Sequence, residues 1–206
     1  MRGFHVIGLL LFGLLSFSQE SQDEHISALI GQYGQGSSLK CEILVQVDVE
    51  GMKIPDKRIY VEFEKDEKPL VKGEGLSLLP KKGTVDQFRQ LLSSPMQAIF
   101  LSRKGGNMIY KLVALDPESD WITADIIFDE KRHLIYESTI STRKFGTFHA
   151  SHSYEGHIYP ARSVVTFDVK RFRLPLKFIG RDHSAADKGS GDENVRGKVT
   201  MEYTYL

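Results

Sequence analysis

The chain has one cysteine, Cys41, in 206 residues, so no disulfide can form within it. Its place in an alternating segment predicts a buried apolar side chain rather than a reactive thiol. An excess of either charge is also missing. There are 27 basic and 27 acidic residues, a balance that supplies no field to draw nucleic acid or anionic lipid headgroups. No long hydrophobic run is found: the apolar stretch Val6 to Phe17 covers twelve residues, short of the ~18 or more that span a bilayer. The chain has no G-x-S-x-G elbow. The glycine pairs at 34/36, 73/75 and 189/191 are only G-x-G, and none follows a strand and opens a helix, so no phosphate cradle is expected. No internal repeat is visible.

What is present begins with an export signal. Arg2 gives a positive start, Val6 to Phe17 an apolar core, and Ser16-Phe17-Ser18 small residues at the cleavage positions. Residues 1–18 are therefore expected to be a signal peptide and 19–206 one mature domain. Removing 1–18 takes away Arg2 and no acid, leaving 26 basic against 27 acidic. No cysteine follows the expected cleavage site, so the mature protein is predicted to be free rather than membrane-anchored. About 188 residues suffice to bury a core without covalent staples.

Periodicity assigns the elements. Ser21-Gln22-Asp23-Glu24 matches a capping box, followed by Ile26, Leu29, Ile30 and Tyr33 on one helical stripe. From Leu39 the period becomes two: Cys41, Ile43, Val45, Val47 and Val49 alternate with Glu42, Gln46, Asp48 and Glu50, broken only at Leu44. Ile59, Val61 and Phe63 form the partner strand of a hairpin. A third strand is expected over 70–79. Thr84-Val85-Asp86-Gln87 opens a short second helix that Pro95 stops. Strands are then expected near 97–103, 107–116, 120–129, 133–143, 146–154, 158–171 and 196–205. Spacing without helical interruptions implies antiparallel pairing. Residues 181–194, rich in Gly, Ser and Asp, read as a mobile loop.

Candidate chemistry is thin. His149, His152 and His157 are close in sequence, but an odd offset sends the first two to opposite faces of a strand, whereas zinc needs three or four converging ligands. No metal and no cofactor is predicted. Asp182-His183-Ser184 contains triad residue types, but in a run of three within the loop, which is a poor basis for a preorganised site. Acidic residues mark solvent faces, and nothing supports a glycosidase pair. Aromatics are plentiful on the strands. A long one-faced sheet with only two short helices must close on itself, dimerise or enclose a ligand.

Leu115-Asp116-Pro117 and the strand Trp121-Ile122-Thr123-Ala124-Asp125-Ile126-Ile127-Phe128-Asp129 resemble the central hairpin of the LolA-like outer-membrane lipoprotein-sorting family. Leu134-Ile135 through Gly146, Tyr159-Pro160, and Gly197-Lys198-Val199 with Tyr203 continue the likeness. The layout matches over most of 21–206 and the motifs over 110–205. The 181–194 loop is a departure. The motif does not assign the carrier's functional strand arginine among Arg58, Arg103 and Arg143.

The resemblance implies an α+β fold: a strongly curved, unclosed antiparallel half-barrel with the N-terminal and central helices over its open side. It implies a periplasmic, non-enzymatic carrier for lipoproteins, lipids or other amphiphiles, with envelope donor and acceptor proteins as partners and no nucleic acid. Alternation selects Ile43, Val45, Val47, Ile59, Val61, Phe63, Phe100, Phe128, Phe148 and Phe167 as residues lining an apolar hollow. The alternatives are an envelope protein-interaction domain on the same sheet, or a secreted hydrolase. The first requires an outer patch in place of the hollow, and the second a cleft of convergent titratable groups.

Overall fold

The computed structural model describes residues 23–34, 39–49, 54–63, 70–73, 86–168 and 196–206. The expected signal peptide, the 181–194 loop with Asp182-His183-Ser184, the caps at Ser21 and Thr84, and the side chain of Phe63 all lie outside them.

The elements are helices α1 (Glu24–Gly34) and α2 (Asp86–Ser93) and ten strands. The strands are β1 (Leu39–Val49), β2 (Lys57–Phe63), β3 (Leu70–Gly73), β4 (Met96–Lys104), β5 (Asn107–Ala114), β6 (Trp121–Asp129), β7 (Ile135–Thr142), β8 (Gly146–Ser153), β9 (Arg162–Asp168) and β10 (Arg196–Tyr205). All ten form one antiparallel sheet in the order β3-β2-β1-β10-β9-β8-β7-β6-β5-β4. The sheet does not close, since β3 and β4 are its two edges. The last strand is inserted between the first hairpin and the meander, with Ile43 opposite Tyr203 and Val47 opposite Val199.

Alternation sets which way each strand faces. On β1, Cys41, Ile43, Val45, Val47 and Val49 are buried while Lys40 and Asp48 face water. Leu44, the one break in the pattern, lies half-buried on the outer face. On β10, Val199, Met201 and Tyr203 are buried and Tyr205 partly so, as their spacing predicts. Register shifts at Phe100/Ser102, Trp121/Thr123 and Ile127/Phe128 mark β-bulges. Such bulges bend the bulged strand and increase its local twist. Gly105 and Gly106, at φ 59° and 81°, form the two-residue turn between β4 and β5.

Several boundaries differ from the sequence expectation for local reasons. The cap of α1 is Asp23, whose Oδ1 accepts from the backbone N–H of His25 at 2.9 Å and of Ile26 at 3.4 Å. β7 begins at Ile135 rather than near 133, because His133 takes a left-handed φ of 52° in the preceding turn. β9 begins at Arg162 rather than near 158: Pro160 has no N–H for a ladder, and the Ala161 N–H bonds back to the Ser153 carbonyl at 2.8 Å.

Candidate functional site

Cross-strand register carries one face of the sheet continuously from β1 to the β4 edge. One row runs Val47, Val199, Val165, Ala150, Ser138, Ile126, Tyr110 and Phe100. The next runs Val49, Gly197, Phe167, Phe148, Ile140, Ala124, Leu112 and Ala98. Neither row contains a charged side chain. The outer face carries the ion pairs instead: Lys111 with Asp125 at 2.5 Å, Lys198 with Asp48 at 3.0 Å, Arg58 with Glu42, and Lys40 with Glu62. This inner face is the candidate site.

Two clusters divide it. In the first, Ile26, Leu29 and Tyr33 of α1 and Phe88, Leu91 and Leu92 of α2 pack on Met108, Tyr110, Leu112, Trp121, Ala124, Ile126, Phe128, Ile135 and Ile140. Asp23 fixes α1 to this half by accepting from the Tyr110 hydroxyl at 2.7 Å. Gln32 donates to the His133 carbonyl at 2.9 Å, and the Ile135 N–H donates to Tyr33 Oη at 3.3 Å. Among the described residues the second cluster consists of strand residues alone: Cys41, Ile43, Val45, Val47, Val49, Ile59, Val61, Ala150, Val165, Phe167, Val199, Met201 and Tyr203.

The expected lining residues separate along this division. Ile43, Val45, Val47, Ile59, Val61 and Phe167 all belong to the strand-only cluster, with Phe148 partly buried against it. Phe128 lies instead in the helix-covered cluster, stacked on Tyr110 at 5.6 Å. Phe100 stands at the open edge, 49% exposed, with its ring edge-on to Tyr110. The side chain of Phe63 is outside the described ones.

Sequence reasoning passed over Tyr110, Leu112 and Ser138. β5 is apolar at both parities, so alternation alone does not choose a face. The signal that does is Lys111, which must face water and so turns Tyr110 and Leu112 inward.

The titratable groups on the inner face are dominated by burial. Cys41 is fully buried, and desolvation pushes its thiol up to about 11, far from a reactive thiolate. His149 and His152 do face opposite ways. His149 Nδ1 is 3.0 Å from Thr139 Oγ1 on the outer face, and His152 Nδ1 is 2.8 Å from Ser163 Oγ on the inner. Desolvation lowers His152 to about 4. Tyr154, also raised by burial, donates to the Ile135 carbonyl at 2.6 Å. Among the described residues no group of three or more His, Cys, Asp or Glu side chains is arranged to hold a metal ion.

The three arginines are engaged elsewhere. Arg58 pairs with Glu42 outside, Arg103 with Glu130 at 2.7 Å, and Arg143 Nε donates to the Ser119 carbonyl at 2.8 Å.

Comparison with solved structures places this architecture. A LolA superfamily protein from Nitrosomonas europaea superposes with a TM-score of 0.56 at 7% identity, covering 87% of this chain and 91% of that one. The fold is LolA-like. A putative outer membrane lipoprotein-sorting protein domain from Vibrio parahaemolyticus matches at TM-score 0.41 and 9% identity, over 87% of this chain and 91% of its own. A DUF1329 family protein from Desulfovibrio piger matches at 0.45 and 8%, over 87% and 88%. No protein-family model and no curated protein matches the sequence. In LolA-like terms, the unclosed sheet with helices on its inner side is the half-barrel expected from the sequence. Among the described residues no helix is long and apolar enough to cross a membrane.

Proposed function

We propose that the protein is a non-enzymatic carrier of lipids, lipid-modified proteins or other amphiphiles in the periplasm, exported by residues 1–18 and free of the membrane thereafter. The observation that carries this reading is the pair of uncharged inner-face rows that run from β1 to β4, while among the described residues helices cover only one half of them. The strand-only half receives the acyl chain. Its Val, Ile and Ala side chains present methyl groups and no ionic competitor. At ~0.8 kcal/mol per buried methylene, a chain of about 16 carbons gains roughly 12 kcal/mol before ordering costs. Binding is therefore easy and release is the demanding step.

Native mass spectrometry of protein purified from its own envelope, with a bound lipid expected, tests this directly. In vitro, Ala150→Trp fills the floor of the strand-only half and should abolish uptake of a fluorescent fatty acid. Thr147→Trp, exposed on the outer face, should leave it intact. Equal binding by both variants, or none by the parent, rejects the carrier.

One observation favours an interaction surface as a second reading. Ile99, Phe100 and Leu101 are 40%, 49% and 48% exposed on edge strand β4, where an extended partner segment can add as a further strand. Under that reading, Ile99→Lys with Leu101→Lys removes cross-links to envelope proteins and leaves lipid uptake unchanged.

A further inference from the structure

Two unpaired polar atoms lie close together on the inner face. Ser138 Oγ and His152 Nε2 are sealed from solvent and have no hydrogen-bond partner among the described residues. Buried polar groups left unpaired destabilise a fold, so two at one place call for a function.

They are neighbours across the β7–β8 ladder. Ser138 is opposite Ala150, and Glu137 opposite Ser151, which puts His152 one inner-face step along β8 from Ala150. Such diagonal pairs have Cα atoms about 7–8 Å apart, within reach of a longer side chain. The ring orientation agrees. Nδ1 is committed to Ser163 on β9 at 2.8 Å, and the second ring nitrogen points away from the first, back from β9. Phe88 of α2 closes the place from above, its ring edge-on to His152 at 4.9 Å. The spot also lies on the seam between the clusters: Ile126 beside Ser138 belongs to the helix-covered one and Ala150 to the strand-only one.

The chemistry of the two atoms selects their guest. Burial keeps His152 neutral at neutral pH, so Nε2 either donates or accepts according to the tautomer. Ser163 Oγ, 2.8 Å from His152 Nδ1, can donate to it or accept from it according to that tautomer. Ser138 is likewise ambivalent. A carboxylate only accepts and enters as a buried charge, with no cation in the central rows to compensate it. An ammonium only donates. A hydroxyl satisfies both atoms whichever way the protons run.

We infer that Ser138 and His152 form a seat for a hydroxyl group borne on the apolar body of the cargo. This rests on the carrier reading and narrows it to hydroxylated amphiphiles.

The test is displacement of a fluorescent fatty acid from the whole protein at neutral pH by dodecan-1-ol, dodecyl methyl ether and dodecanoate. The alcohol should displace at concentrations at least about tenfold lower than the ether, the ratio set by about 1.4 kcal/mol of hydrogen bonding. Dodecanoate should do no better than the ether. Ser138→Ala, which removes one hydroxyl and is the variant least able to disturb folding, should erase the preference while leaving the ether's affinity unchanged. His152→Leu should do the same in protein shown by circular dichroism to be folded. Equal displacement by alcohol and ether in the parent overturns the seat, as water then fills it equally well. Persistence of the preference in both variants overturns it too, as does a stronger effect of dodecanoate. In each of these outcomes the probes still bind and the carrier reading survives. Failure of every probe removes the carrier reading itself.

Discussion

From β5 to β7 the inner face is paved with large side chains, Tyr110, Leu112, Ile126 and Phe128, and two helices rest on it. From β8 to β10 and on through β1 and β2 it is paved chiefly with Val, Ile and Ala, and among the described residues the cluster there contains no helix residue. The first half has the makings of a permanent core. Aromatic rings interlock with Tyr33 and Phe88 from above, at 5.7 Å between those two rings. Asp23, Gln32 and Tyr33 add polar ties that fix the helices in place. The second half has β-branched walls from strands that are well paired on both sides. The difference teaches that one sheet can hold a folding core and a binding wall side by side, with the division set by side-chain size and by where the helices dock.

The largest expected effect strikes the helix-covered half. Phe128→Ala should lower unfolding stability by about 3–5 kcal/mol in urea melts, while the folded fraction keeps its fatty-acid affinity. If Phe128→Ala loses uptake as completely as Ala150→Trp, the two halves are not distinct in function.

The seam between them should be visible in acid. His152 has a folded-state value of about 4, below the ordinary 6.5, so between those pH values the unfolded chain binds a proton that the folded one does not. Stability is then full above pH ~6.5, falls as the pH drops toward about 4, and levels off below that, a loss on the order of 3 kcal/mol. His152→Leu should flatten this part of the stability profile, whereas His149→Gln on the outer face should not. A profile unchanged by His152→Leu would place the acid sensitivity elsewhere.

A smaller effect isolates the docking of α1. Asp23→Ala removes both its cap and the acceptor for Tyr110, at a cost of about 1–2 kcal/mol. Hydrogen exchange should accelerate in α1 but not in β1 or β10. Uniform acceleration would mean that the halves open together.

The smallest effect belongs to the outer face. Lys111→Ala, removing an exposed partner of Asp125, should change stability by no more than about 1 kcal/mol and leave uptake untouched. A loss as large as that of Asp23→Ala would show that outer charges hold the curvature.

Much of this was written in local pattern. Alternation at Cys41 to Val49 and at Val199 to Tyr205 announced the strands and their buried face. The Gly105-Gly106 turn and Pro95 fixed connections, because each constrains the backbone by itself. The cap was misread by two residues because Ser21 and Asp23 are both good N-cap residues, and only the placement of α1 against Tyr110 selects between them. Site residues were legible where a strand is apolar at one parity, as on β1. Where both parities are apolar, or where the inward residue is polar, as at Ser138 and His152, the pattern gives no direction.

The sequence by itself determined the strand number, the antiparallel pairing and the exclusion of an internal disulfide, since these follow from periodicity, connection length and cysteine count. Tertiary structure alone decided that Phe128 and Phe167 belong to different clusters, that Phe100 stands at an open edge, and that Ser138 and His152 meet on one seam. Those facts depend on strand order and register across residues far apart in the chain, and on which half the helices cover. No local preference encodes them, because each is fixed only when distant strands pair.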